Sequence, residues 1–128
     1  MLPKPTESEL AILLVLWAQG PVSVRTVHEQ LHAEQEKGYT TTLKLMQIMT
    51  EKGLVRRDTS NRTHIYEAVV QESDVQSNLL SRFVEKTFRG STANLVMQAL
   101  GREEASDEEL NKIRELLDRI EKERNPKK

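Results

Sequence analysis

The stretch TTTLKLMQIMTEKGLVRRDTSNRTHIYEA, residues 40–68, changes its hydrophobic period half-way along. As far as Lys52 the apolar residues Leu43, Met46 and Met49 return every three positions, as one face of a helix does, and Gly53 offers the left-handed stop. Beyond Gly53 the period is two. Leu54-Val55-Arg56-Arg57-Asp58 and Thr63-His64-Ile65-Tyr66-Glu67-Ala68 flank the polar tip Thr59-Ser60-Asn61-Arg62, which predicts a β-hairpin directly after a helix over 40–52.

Upstream, Thr6-Glu7-Ser8-Glu9 is a capping box that predicts a helix from there to about Gln19, ended by Gly20-Pro21. Ile12 to Trp17 is apolar all round the wheel, so this helix is expected to be covered on more than one side. Ser23 is the expected N-cap of a second helix reaching about Glu36, with Val24, Val27 and Leu31 on one face. Helix, helix, helix, hairpin is the order of a winged helix-turn-helix, in which the third helix enters the major groove and the hairpin forms a wing beside it.

Downstream the pattern is helical again. Ser73 with Gln76 predicts a helix to about Phe88 that carries Val75, Leu79, Phe83 and Val84 on one side and ends at Arg89-Gly90. A short apolar helix follows from Thr92 to Leu100, with its stop at Gly101. Ser106 with Glu109 caps a last helix to about Arg124, in which Leu110, Ile113, Leu117 and Ile120 form a short heptad-like seam that requires a partner helix. The fold class expected is mainly α with a small β-hairpin wing: a winged helix over 1–70 and a helical dimerisation domain over 71–128.

Composition narrows the chemistry. The 128 residues include no cysteine, which excludes a disulfide framework, thiolate metal sites and cysteine nucleophiles. Only 37% are apolar and 4% aromatic, so part of the core is expected from a second subunit. The leading Met-Leu-Pro-Lys-Pro has no apolar signal core, and the longest apolar run, Ala11 to Ala18, is far short of the ~20 residues that span a bilayer, so no membrane insertion and a cytoplasmic location are expected. The net charge of −1 hides an uneven distribution. From Gly38 to Tyr66, Lys44, Lys52, Arg56, Arg57 and Arg62 face only Glu51 and Asp58, so that segment is +3 within a chain of −1.

With Leu43, Met46 and Met49 inward, the opposite face of the third helix carries Thr41, Lys44 and Ile48, flanked by Thr40 and Gln47. Their chemistry suits a DNA groove: Lys44 donates to guanine or phosphate, Gln47 pairs with adenine, Thr40 and Thr41 hold phosphates at the helix start, and Ile48 meets a thymine methyl. Arg62 at the wing tip reaches a phosphate or the minor groove. Leu79, Phe83, Leu95, Val96, Leu100, Ile113, Leu116, Leu117 and Ile120 exceed what a small helical piece hides alone and are expected to pair two copies.

Pro5-Thr6-Glu7, Leu13 to Trp17, Val24 with Val27, Tyr39 to Leu43, Lys52-Gly53-Leu54-Val55 and Arg62 to Tyr66 resemble the penicillinase-repressor family, and Phe88-Arg89-Gly90 and Asn94-Leu95-Val96 fall where that family has its dimerisation helices. The resemblance implies a homodimeric transcriptional repressor on a palindromic double-stranded DNA operator, without cofactors. It also implies relief by proteolysis of the dimerisation domain in a β-lactam-type response, through a membrane sensor-protease or its downstream protease. The implied cleavage region here is Gln98-Ala99, where the family has Asn-Phe. Lys44 and Ile48 also depart from the family pattern, which has a second Thr and an Arg on this helix, so the family's operator sequence does not transfer. The cysteine-based copper response of one branch is excluded.

Two other readings compete. A winged helix can serve as a protein-protein interaction module that never touches DNA. His28-Glu29-Gln30-Leu31-His32 matches H-E-x-x-H, the zinc-hydrolase signature in which two histidines hold the metal and the glutamate is general base. No Gly and His follow at the spacing of one protease branch, Glu51 as third ligand of another would sit at the end of the expected DNA-reading helix, and the flanks are polar, so the pair is read as two surface histidines and the chain as neither a metal protein nor an enzyme.

Overall fold

The computed structural model describes residues 3–32, 38–102 and 105–126. The elements run α1 (Glu7–Gln19), β1 (Val22–Ser23), α2 (Val24–Leu31), α3 (Tyr39–Lys52), β2 (Val55–Asp58), β3 (Ile65–Ala68), α4 (Glu72–Phe88), α5 (Thr92–Arg102) and α6 (Asp107–Arg124). They divide into two compact units, Met1–Arg82 and Phe83–Lys128, with α4 running from one into the other.

In the first unit the local signals act as their chemistry requires. The Thr6 hydroxyl accepts the Glu9 amide at 3.2 Å while the Glu9 carboxylate accepts the Thr6 amide at 2.9 Å. Ser23 accepts the Thr26 amide at 3.2 Å and starts α2. Gly53, at φ +80°, ends α3 in a left-handed geometry that a side chain would strain. α2 ends earlier than expected, at Leu31, where the His32 amide donates to the His28 carbonyl at 2.7 Å; the expected continuation over 33–36 lies outside the described residues.

The hairpin gains a strand that has no sequence pattern of its own. β3 lies between β1 and β2, antiparallel to both, with Val22 opposite Tyr66 and Arg57 opposite the same tyrosine on the other side. This pairing ties the wing to the chain entering α2. Beneath it lies a core that includes Leu13, Val27, Met46, Met49, Leu54 and Tyr66, each no more than 1% exposed. Truncating either methionine to alanine in such packing costs about 2–5 kcal/mol.

Three expectations need correction here. α1 buries Ile12, Leu13 and Leu16 but leaves Leu14 49% exposed, so its all-round apolarity does not mean all-round cover. Leu43 is only half-buried, and Thr42 takes the buried place in the first turn of α3. α4 begins at Glu72, which puts Ser73 inside the helix; the Gln71 carbonyl receives the Val75 amide at 3.1 Å. Trp17 packs against the core, its indole N–H donating to the Val70 carbonyl just after β3 at 3.0 Å.

Glu9 is a buried carboxylate that binds the Lys52 ammonium at 2.6 Å. Burial by itself would raise its pKa, but the hydrogen bonds from Lys52 and Thr6 and the Lys52 charge outweigh it and hold the carboxyl below the ordinary glutamate value. Lys52 also donates to the Lys4 carbonyl at 3.3 Å, so the end of α3 is fastened to the segment that leads into α1.

The second unit holds the end of α4, with α5 and α6. Arg89 and Gly90 both take positive φ after α4, and the Gly90 amide closes on the Val84 carbonyl at 3.0 Å. α5 passes through the expected stop at Gly101 and is helical as far as Arg102, the last described residue before 105. α6 carries the expected capping box, with the Glu109 amide 3.1 Å from the Ser106 hydroxyl and the Ser106 amide 3.2 Å from the Glu109 carboxylate. Among its described residues only Val84 is buried.

Candidate nucleic-acid interface

α3 is held from behind by both apolar and polar contacts. Met46 and Met49 enter the core, and the Thr42 hydroxyl lies 3.0 Å from His28 Nδ1 on α2 while also donating to the Gly38 carbonyl at 3.3 Å. His28 is therefore a buried residue, 3% exposed, and not the surface histidine expected. Its ring also meets Tyr39 edge-on at 5.7 Å. His32 remains exposed, with its ring 5.3 Å from that of His28, and Glu29 is exposed as well. Among the described residues no group of three His, Cys, Asp or Glu side chains is placed to hold a metal ion.

Anchoring of that face leaves the other in solvent. Thr40, Thr41, Lys44, Gln47 and Ile48 are all exposed and share the outward side of α3, where Ile48 is an apolar residue 38% open to water. The N-cap of the helix is Gly38, which has no side chain to offer the first-turn amides, and these form the positive end of the helix dipole. Arg62, also exposed, lies in the loop between β2 and β3. At the start of that loop Asp58 accepts the Ser60 amide at 2.9 Å, a bond that keeps its carboxyl below the ordinary aspartate value and tightens the turn.

The positive charge is sorted by these partners. Lys52 is bound to Glu9 and Arg56 to Glu67 across β2 and β3. Lys44, Arg57 and Arg62 form no ion pair among the described residues. Arg25, in the first turn of α2, joins them: its guanidinium carbon lies 4.5 Å from the centre of the Tyr39 ring. An open groove of about 540 Å³ is lined both by this Arg25–Tyr39 pair and by Arg62, Thr63 and His64 of the wing loop. Arg25 went unread in the sequence because its only signal is tertiary: it stands beside α3 once α2 and α3 pack.

The expected subunit-contact residues divide. Leu79 packs part-buried against the core of the first unit. In the second unit Leu95 and Ile113 are half-buried, whereas Phe83, Val96, Leu100, Leu116, Leu117 and Ile120 are 36–55% exposed. Gln98 and Ala99 are exposed within α5, and the Gln98 amide group donates to Asn94 Oδ1 at 3.1 Å. No helix of the described residues is long and apolar enough to cross a membrane.

Comparison with known proteins bears on both units. The sequence profile described as penicillinase repressor matches residues 5–119. The chain belongs to the penicillinase-repressor family. Methicillin resistance regulatory protein MecI of Staphylococcus aureus is 22% identical over 114 residues, covering 89% of this chain and 93% of that one. The penicillinase repressor of Bacillus licheniformis is 22% identical over 117 residues, 91% of each chain. Transcriptional regulator BlaI of Mycobacterium tuberculosis reaches 33% identity over 73 residues, 56% of this chain and 53% of its own. Among solved structures, the solution structure of the DNA-binding domain of the repressor BlaI matches with a TM-score of 0.50 at 20% identity, covering 58% of this chain and 90% of that one. That likeness establishes the winged-helix fold, as the order of helices and hairpin had led one to expect. At such identities the family does not carry its groove-facing residues over, and Lys44 and Ile48 belong to this chain's own surface.

Proposed function

We propose that this protein is a transcriptional repressor that binds a palindromic operator in double-stranded DNA as a homodimer. The observation that carries the reading is the outward row of Thr40, Thr41, Lys44, Gln47 and Ile48 on a helix whose reverse side is fixed by Met46, Met49 and the Thr42–His28 bond. Lys44 and Gln47 read base edges, Ile48 contacts a thymine methyl, Thr40 and Thr41 hold the backbone, and Arg62 on the wing reaches an adjoining phosphate or the minor groove. Membership of the family and the DNA-binding function named for its relative of known structure support this assignment.

The second unit supplies the second half-site. Pairing of α5 and α6 with those of another copy covers Val96, Leu100, Leu116, Leu117 and Ile120, and two recognition helices then engage sites about one helical turn apart, ~34 Å. Repression is relieved when that pairing fails, because a single winged helix loses the avidity of the second site. Proteolysis at Gln98-Ala99 by a membrane sensor-protease or its downstream protease would have this result, and it requires local unfolding of α5, in which both residues are helical. The protein acts in the cytoplasm, where its DNA lies.

Fluorescence anisotropy on a labelled mixed-sequence duplex, combined with sedimentation of the free protein, tests this reading. The expected result is a dimer at micromolar concentration whose DNA affinity falls steeply with added salt. A monomer would overturn the dimer, and salt-independent or absent DNA binding would overturn the repressor.

A further inference from the structure

The outward face of α3 uses only part of the positive charge on its side of the first unit. Arg25 belongs to α2, is exposed, and projects to the start of α3, where it lies over the face of Tyr39 at 4.5 Å. Tyr39 cannot easily yield. Its ring meets His28 edge-on at 5.7 Å, and His28 is buried and bonded to Thr42. A surface arginine ordinarily samples many rotamers, and ordering it on a ligand costs conformational entropy. Here the aromatic shelf restricts it, and a guanidinium held over a ring face can still offer N–H donors at its edge.

Arg62, Thr63 and His64 from the wing loop line the same groove. The cleft thus brings together two arginines with a hydroxyl and an imidazole, beside Tyr39 in the first turn of α3. Among the described residues that line it there is no carboxylate. Such a cleft fits a polyanion that runs past the helix start and not a neutral or cationic group.

We propose that this groove is a backbone-phosphate clamp, in which Arg25, preset by Tyr39, and Arg62 together hold the phosphodiester strand flanking the bases read by α3. The proposal rests on the DNA-binding reading above and adds to it a division of labour: the α3 face selects sequence, and the Arg25 side of the groove fixes register without reading bases. Tyr39 acts as a positioning residue through Arg25.

The test uses the full chain with two probes, a duplex recovered by selection from a random pool and an unrelated duplex of equal length. Arg25→Gln is expected to weaken both to a similar degree, by about 5- to 10-fold, and to reduce the slope of log affinity against log salt by about one unit. Arg25→Lys keeps the charge and should restore the slope. Tyr39→Leu keeps the arginine but removes its shelf, so affinity drops while the slope stays near that of the parent; circular dichroism melting of each variant separates loss of fold from loss of contact. Lys44→Ala serves as the control on α3 and should narrow the gap between the two probes. If the parent binds and Lys44→Ala narrows that gap while Arg25→Gln leaves affinity and slope unchanged, the clamp is refuted and the repressor reading stands. A selective loss on one probe only would make Arg25 a base reader and likewise refute the clamp. Failure of the parent to bind any duplex refutes both.

Discussion

In the first unit nearly every demanding side chain finds its partner within the unit, whereas in the second the large apolar side chains mostly face water. Glu9 has Lys52, Trp17 has the Val70 carbonyl, His28 has Thr42, and Met46 and Met49 are closed off completely. Against this, Phe83, Val96, Met97, Leu100, Leu116, Leu117 and Ile120 are 36–73% exposed. Exposed apolar side chains in that number suit an interaction face. The difference teaches that the same chain uses apolar residues in two ways: the first unit spends them on a rigid support for α3, and the second leaves them open, as the proposed pairing with another copy requires.

The sharpest way to break that contrast is to charge the second unit's apolar surface. Leu117→Asp places a carboxylate on a residue that is already 55% exposed, so the monomer should melt almost unchanged, but sedimentation should show loss of the dimer and operator affinity should drop by ~100-fold or more. A variant that stays dimeric would remove α6 from the interface. The opposite response is expected in the first unit. Met49→Ala should lower unfolding free energy by about 2–5 kcal/mol in urea titration, because a residue with no exposure leaves a cavity, while the oligomeric state of the folded fraction stays the same. Lys44→Ala is intermediate: no change in stability, and about 1–3 kcal/mol less discrimination between a selected operator and unrelated DNA.

Legibility in the sequence followed the range of the interaction. The capping boxes Thr6–Glu9 and Ser106–Glu109 and the stop at Gly53 were readable because each is complete within a few residues. The outward positions of Thr40, Thr41, Lys44, Gln47 and Ile48 were readable because helical period alone sets them once Met46 and Met49 point inward. What escaped depends on distant partners. β1 is only two residues long and exists because Tyr66 and Ile65 lie alongside it. Lys52 looked like part of the DNA-facing charge, but its partner Glu9 is 43 residues away. His28 looked like a surface residue because its neighbours Glu29 and Gln30 are polar; burial of one face of a short helix is not visible from composition.

The smallest expected effect concerns that distant pair. Glu9 has a depressed pKa in the folded state, so it contributes stability that is present above the ordinary glutamate range and is lost as pH falls through its lowered folded value. Glu9→Gln should cost about 1 kcal/mol at neutral pH, since Lys52 retains some access to water, and should flatten the acid side of the stability profile. An acid limb identical to that of the parent would show that the pair does not fasten the end of α3 in solution.

The central claim is that the outward face of α3 reads DNA for a paired molecule, and selection of bound sequences from a random duplex pool, run with the parent and with Lys44→Ala, tests it most directly. The account predicts a two-fold symmetric consensus from the parent, with half-sites separated by about one helical turn, and altered base preference at matching positions in both halves for the variant. A consensus without symmetry, or one that Lys44→Ala leaves unchanged at every position, would contradict it.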